Sequence, residues 1–393
     1  MKLLYIGYAI PKDICDHQRG ASVAGNNMQI GVVQELKKKF KDDMEILTIY
    51  PTAPYPKVKK LWVRKKQLRI SDNCYVKCVS YLNIPIVKQI WQVFSVYVAA
   101  RKFISNNKQT KILTFNAFPA IGLPVKYLSE KYNCETICLL ADLPIDMEKR
   151  NIISKFLRIL MDKLTEISIK NFDKLIVLNQ RAIKEYAPET PYIIVDGGFS
   201  PKENKCEKEE KRIYEQSGEV ILLFSGSLVE YNGIRQLIES MKYVYNNVKL
   251  YIYGDGPLRR YVMDQCITYS NIEYKGKVPN EEMIKIQKKV YMLINPRPKD
   301  DPISLVTFPS KIFEYMLSGT PVLTTKLNGL TKAYLEHISI LDDENAEKMG
   351  ESINKALKVP YNELMSKAAF GKEFILKEKN WGKQSKKIFN FIK

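Results

Sequence analysis

Ser310, Lys311 and Glu314 follow Phe308 and Pro309 at a spacing that would gather two hydrogen-bonding groups and a cation at one helix start. Ahead of them runs a charged, Pro-rich loop; behind them the apolar residues of IFEYML recur at helical spacing, so a helix is predicted to begin near Pro309 or Ser310, with proline in its first turn and serine as a capping residue. A helix start offers unpaired N–H groups and partial positive charge, which suits a diphosphate, and Lys311 adds a full charge there. Glu314, one turn further on the same face, can accept hydrogen bonds from vicinal ribose hydroxyls. An ordinary capped helix with a surface carboxylate is the plainer reading of the same residues.

Two glycine-bearing turns precede this run. A strand over 220–224 leads to Gly226, where the missing side chain lets backbone approach a ligand. A strand over 249–253 empties into Gly254, Asp255, Gly256 and Pro257, a tight turn whose aspartate can cap the helix that follows. Arg297 reads either as a phosphate contact or as a solvated loop residue.

Taken in order, SGSLVEYNGIRQLIESM (225–241), YIYGDGPLRRYV (251–262), YKGKVPNEEM (274–283) and FPSKIFEYMLSGTPVL (308–323) resemble the GT-B glycosyltransferases, in particular glycosyltransferase family 4. The resemblance implies that the helix at Ser310 cradles a donor diphosphate, that Glu314 binds the ribose, and that Lys277 and Val278 contact the base. Family members usually carry glutamate where this chain has Val306, and cations where it has Ser227 and Asn232. Two neutral groups cannot balance a departing diphosphate, so that charge falls to Lys311 first and Arg297 second.

In the first half, Gly20 and Gly25 stand just before a helical pattern carried by Met28, Val32, Leu36 and Phe40. Its first amides, with Asn26 and Asn27, are candidates for ligand contact; glycines that merely ease a loop are the alternative. The resemblance implies a glycine-rich loop meeting the donor phosphate or the acceptor. Asp142 follows a strand over 135–140, where a carboxylate can take the proton of an acceptor hydroxyl, orient that hydroxyl, or cap a turn. Asp146 is the substitute. Related enzymes often carry a histidine near this place, and this chain has none there.

The chain's only histidines are His17 and His337, and its seven cysteines form no CxxC pair, so buried thiols and no metal are expected. No cofactor is expected beyond the nucleotide-diphosphate sugar as substrate. The 62 basic against 43 acidic residues give +19, which points to nucleic acid, an anionic membrane, a phosphorylated substrate, or lysines spread over solvated faces. No helix-turn-helix, zinc or aromatic RNA-binding signature accompanies the charge, so nucleic acid is not expected. YPKVKKLWVRKKQLRI (55–70) sets seven basic residues around Val58, Leu61, Trp62 and Leu68, as an interfacial helix or loop on anionic lipid requires; a solvated surface helix is the alternative. The opening MKLLYIGYAIPKD reads as a buried strand rather than a signal peptide, and no stretch approaches the roughly 20 apolar residues of a spanning helix. A cytoplasmic protein is expected, with peripheral attachment to the inner face of the plasma membrane through 55–70.

These residues need a frame. At 393 residues, two domains are expected. Strand patterns over 3–7, 44–50, 111–115, 135–140, 174–178 and 192–195, then 220–224, 249–253, 271–274, 290–294 and 321–324, alternate with helical ones, which gives an α/β fold with parallel sheets. A charged stretch over 200–219 reads as a linker between an acceptor domain (1–199) and a nucleotide-sugar domain (220–373). An amphipathic closing helix over 374–393 is expected to pack back on the first domain. The resemblance makes this a GT-B fold, two Rossmann-like domains facing across a cleft. It implies transfer of a sugar to a saccharide hydroxyl, lipid-linked, without a metal and with retention, in bacterial polysaccharide assembly. The alternatives are a nucleotide-sugar epimerase or hydrolase on the same scaffold and a basic nucleic-acid-binding protein.

Overall fold

A computed structural model describes residues 1–107, 109–143, 152–200, 212–342 and 345–393. The chain forms two compact units, Met1–Ser200 with Trp381–Lys393, and Pro201–Asn380. Among the described residues no helix is long and apolar enough to cross a membrane.

The first unit contains β1 (Lys2–Gly7), β2 (Met44–Thr48), β3 (Trp62–Val63), β4 (Lys66–Ser71), β5 (Cys74–Cys78), β6 (Tyr81–Leu82), β7 (Thr110–Phe115), β8 (Thr136–Leu140), β9 (Lys174–Val177) and β10 (Tyr192–Ile194). Eight of them make one sheet in the order β10-β9-β8-β7-β1-β2-β5-β4, parallel except for the edge pair β4 and β5. Successive side chains point to opposite faces of a strand, and here both faces are covered. Leu4 and Ile6 join Ile112, Cys138 and Val96 on one side, while Leu3 and Tyr5 join Leu113, Ile137, Val32 and Leu36 on the other.

The segment 55–70 is not a helix. It turns at 55–58 and continues as β3 and β4. In β4, Leu68 and Ile70 alternate with exposed Gln67 and Arg69, a period of two that suits an edge strand, and its charges discourage further pairing. The expected closing helix is two helices, Tyr361–Glu378 and Trp381–Ile392. Asn380 breaks them by donating its side-chain N–H groups back to the Leu376 and Lys377 carbonyls. The first belongs to the second unit. The other belongs to the first, where Trp381, Ile388 and Ile392 are buried against Val32 and Leu36. The Trp381 ring fits only because Gly31 and Gly198 lack side chains; a Cβ on either would stand 2.2 or 2.7 Å from it.

The second unit has β11 (Val220–Ser225), β12 (Val248–Tyr253), β13 (Ile272–Gly276), β14 (Met292–Asn295), β15 (Val322–Thr325) and β16 (Ser339–Leu341). All neighbours are parallel, in the order β13-β12-β11-β14-β15-β16. This is the doubly wound order, in which the direction of winding reverses between β11 and β14. Of the expected linker, residues 201–211 lie outside the described residues. Residues 212–219 belong to the second unit: Ile213–Ser217 is a short helix, and the Arg212 guanidinium donates to the Lys288 and Gly319 carbonyls and to Thr320 Oγ1.

Candidate active site

Ligands of open α/β sheets bind beyond the carboxyl ends of the strands where the winding reverses. At that place in the second unit, off β11 and β14, lies a pocket of about 220 Å³. Gly226, Ser227, Asn232, Arg297, Pro309, Ser310 and Lys311 meet in its wall, together with Phe224, Ser225, Tyr231 and Asn295. Its two charged residues are both cations.

The helix Ser310–Ser318 opens there. Ser310 is its first helical residue rather than its cap; Pro309 holds the cap position, and no side chain caps the helix. Its first amides therefore present the donors and positive dipole end that bind anions. Buried Tyr315 fixes the helix to the end of β11, accepting the Ser225 N–H at 3.0 Å and lying 3.2 Å from the Ser225 carbonyl. Phe308 packs inward against Phe313 and Tyr334, anchoring the approach to the helix.

Glu314 stands one turn in. Gln287 Nε2 donates to its Oε1 at 2.5 Å, and the Lys311 ammonium lies 3.4 Å from Oε2. Arg297 is not the solvated loop residue that its sequence setting allows. It is 9% exposed, and its guanidinium donates to Ser304 Oγ at 2.7 Å and to Thr307 Oγ1 at 3.0 Å. Burial lowers its pKa, opposed by Asp301 and Tyr231, but a guanidinium remains charged.

The glycine turns support this wall. Gly254 has φ +141°, and a Cβ there would stand 1.8 Å from the Gly226 carbonyl oxygen, so the two turns touch backbone to backbone. Asn232 Nδ2 closes the Gly226 turn by donating to the Ser227 carbonyl at 2.7 Å. Asp255 does not cap the next helix: its side chain accepts the Gly256 N–H, and Leu258 holds the cap position. Gly254, Asp255 and Gly256 brace the pocket without lining it. Lys277 and Val278 follow β13, two strands from β11, and Phe308 and Glu314 also lie outside the lining.

In the first unit the winding reverses between β1 and β7. Here Asn116, which directly follows β7 with φ +61°, organises the loop after β8. Its Oδ1 accepts the N–H groups of Ala141 and Asp142 at 2.8 and 2.9 Å, and its Nδ2 donates to Asp142 Oδ2 at 2.8 Å. Asp142 keeps solvent access, yet protein crowds its carboxyl: desolvation raises the pKa above the ordinary aspartate value, and the Asn116 hydrogen bond partly offsets this. Asp146 lies outside the described residues.

The glycines of this unit are placed differently from the sequence expectation. The helix begins at Val23 with Ser22 as its cap, so Gly25, Asn26 and Asn27 lie inside it. Asn26 is buried, its amide occupied by the Ile10 N–H and carbonyl at 2.9 and 3.0 Å, and so is not available to an acceptor. Asn27 is exposed. Gly20 has φ +98°, and a Cβ there would meet the Ala53 nitrogen at 2.4 Å, so it serves a backbone crossing.

Sequence reasoning missed Tyr231, Asn295, Gln287 and Asn116. Asn295 carried a signal, a polar residue closing the apolar strand MLIN at the reversal point. The others act through partners distant in sequence.

Among known proteins, the glycosyl transferases group 1 family matches residues 170–373. No curated protein matches significantly. Solved structures share the fold across the chain. Sucrose-phosphate synthase from Thermosynechococcus elongatus superposes with a TM-score of 0.69 at 14% identity, covering 100% of this chain and 98% of that one. Anabaena HepE in complex with UDP gives 0.65 at 14%, covering 100% and 99%. WaaG, a glycosyltransferase involved in lipopolysaccharide biosynthesis, gives 0.62 at 14%, covering 99% of each. Since the family match spans more than half of the sequence and includes the whole anion-suited pocket, this chain belongs to the glycosyl transferases group 1 and is a glycosyltransferase of GT-B fold.

Proposed function

We propose that this glycosyltransferase moves a sugar from a nucleotide-diphosphate donor to a hydroxyl of a lipid-linked saccharide, with the donor nucleotide held in the second unit. The observation that carries the reading is the pocket beside β11 and β14, whose charged residues are Arg297 and Lys311 and into which an uncapped helix start opens. Solved neighbours have been captured with UDP and with UDP-2-fluoro glucose, which favours a nucleotide as occupant.

In this reading the first amides of the Ser310 helix and Lys311 hold the diphosphate, Arg297 faces it from the loop, and Glu314 accepts the ribose hydroxyls. As the bond from the anomeric carbon to the phosphate oxygen breaks, charge grows on that oxygen, and the cations with the helix dipole stabilise it without a divalent metal. The acceptor oxygen bonds to the same carbon on the face the diphosphate leaves, so configuration is retained. Asp142 is assigned to the acceptor hydroxyl, whose proton it takes. In the same reading the enzyme serves polysaccharide assembly at the inner face of the plasma membrane, to which the basic segment 55–70 attaches it.

A thermal-shift screen of UDP-, GDP-, TDP- and ADP-sugars should find one that raises the melting temperature, since a ligand that binds only the folded state stabilises it. Lys311→Ala and Glu314→Ala should each weaken that ligand about tenfold or more, the scale of a lost charge-assisted hydrogen bond, while melting close to the parent. Unchanged affinity in both variants removes the assignment.

A further inference from the structure

The helix Val87–Ser105 is apolar on both sides. Gln92, Val96, Ala100 and Ile104, spaced by four, form its buried face. A surface helix ordinarily turns polar residues outward. Here Ile90, Phe94 and Val98, also spaced by four, are 68%, 63% and 48% exposed and are joined at the helix start by Ile86 and Trp91; the stripe ends at exposed Arg101 and Lys102. A contiguous outward apolar stripe marks a surface that is covered in use.

What lies beside it decides by what. The Trp91 ring meets the Trp62 ring edge to face, with centroids 5.4 Å apart at 84°. Trp62 begins β3 in the segment that also carries Lys57, Lys59, Lys60, Arg64 and Lys65, all exposed. From 55 to 105 the chain contains one acidic residue, Asp72. An apolar stripe thus borders a cationic bank, with two half-exposed tryptophans at the boundary. Tryptophan is favoured where hydrocarbon meets headgroups, and basic residues beside it attract anionic lipid.

We infer that the Val87–Ser105 helix and the basic 57–65 segment together form one bilayer-docking face, with Ile90, Phe94 and Val98 entering the acyl region and the lysines resting on anionic headgroups. The face is larger than the basic segment alone, and its apolar part comes from a helix that the charge pattern does not mark. This inference deepens the lipid-linked reading of the acceptor, but its test needs neither donor nor acceptor.

The full chain should be sedimented with vesicles of phosphatidylglycerol mixed with phosphatidylcholine, and with phosphatidylcholine alone. Binding to the mixed vesicles, weakened by salt and at least about tenfold weaker on phosphatidylcholine alone, is expected. Phe94→Glu should reduce the partition coefficient about tenfold to a hundredfold, as expected for withdrawing a buried aromatic side chain. Lys59→Glu with Lys60→Glu should reduce it on the mixed vesicles only. Circular dichroism melts and nucleotide-sugar thermal shifts should match the parent in both variants, which separates loss of docking from loss of fold or of donor binding. The inference is overturned if the parent does not sediment, if Phe94→Glu sediments as the parent does, or if Phe94→Glu instead dissociates a dimer seen by analytical ultracentrifugation, which would assign the stripe to a second copy of this chain.

Discussion

Asn116 does for Asp142 what Gln287 does for Glu314: an amide donates to one carboxylate oxygen, and at Glu314 the Lys311 ammonium faces the other. The pairing has a measurable consequence at Asp142. Desolvation raises its pKa and the Asn116 hydrogen bond opposes that rise, so removing the amide leaves the rise unopposed. If Asp142 acts as the base, Asn116→Ala should move the acid limb of the kcat/KM profile to higher pH, and Asp142→Asn should abolish that limb and lower kcat by about a hundredfold or more. An acid limb unmoved in both variants would assign the proton elsewhere. At this scale the sequence was informative about charge and silent about amides. Ser310, Lys311 and Glu314 stand out because they adjoin one another at a helix start. Gln287 and Asn116 lie 27 and 26 positions from the carboxylates they orient, and no local pattern joins them. Asn26 misled for the same reason: nothing in the sequence shows that its amide is spent on Ile10.

Among elements, the central strands were legible to within two residues at most ends, because buried parallel strands are unbroken apolar runs bounded by polar residues. What escaped was the edge. Residues 66–71 are a strand, but lysine and arginine crowd its period-two pattern until it reads equally as a helix face. Turns carried a different ambiguity. Gly254 reads as part of a tight turn, and what constrains it proves to be another backbone, the Gly226 carbonyl. Gly254→Ala must resolve a 1.8 Å contact at a backbone angle that L residues rarely adopt. It should cost about 2–4 kcal/mol in denaturant unfolding and weaken nucleotide binding as well, because the Gly226 turn is displaced with it. A variant with parental stability would show that the two turns can separate freely.

For the molecule as a whole, the informative feature is that the first unit is discontinuous in sequence. The amphipathic character of the final residues was readable, and so was a packing partner in the first half; the break at Asn380 was not, because it rests on a side chain folding back on its own helix end. Trp381→Ala would empty the space above Gly31 and Gly198 and should destabilise the first unit by about 3–5 kcal/mol. Hydrogen exchange should locate the lost protection in β1, β2 and the Val23–Phe40 helix, with β11 to β16 unchanged. Equal loss in both units would mean that they unfold as one.

The Trp381–Ile392 helix also sets an order of events. Every strand of the first unit's sheet is made before residue 200 leaves the ribosome, yet the helix that completes the cover of one face, beside the Val23–Phe40 helix, is not made until the second unit is complete. At cellular synthesis rates that interval lasts roughly ten to forty seconds. The half that is begun first is finished last, and meanwhile part of its apolar face stays open to solvent. Growth at higher temperature should tax this chain during its synthesis more than after it.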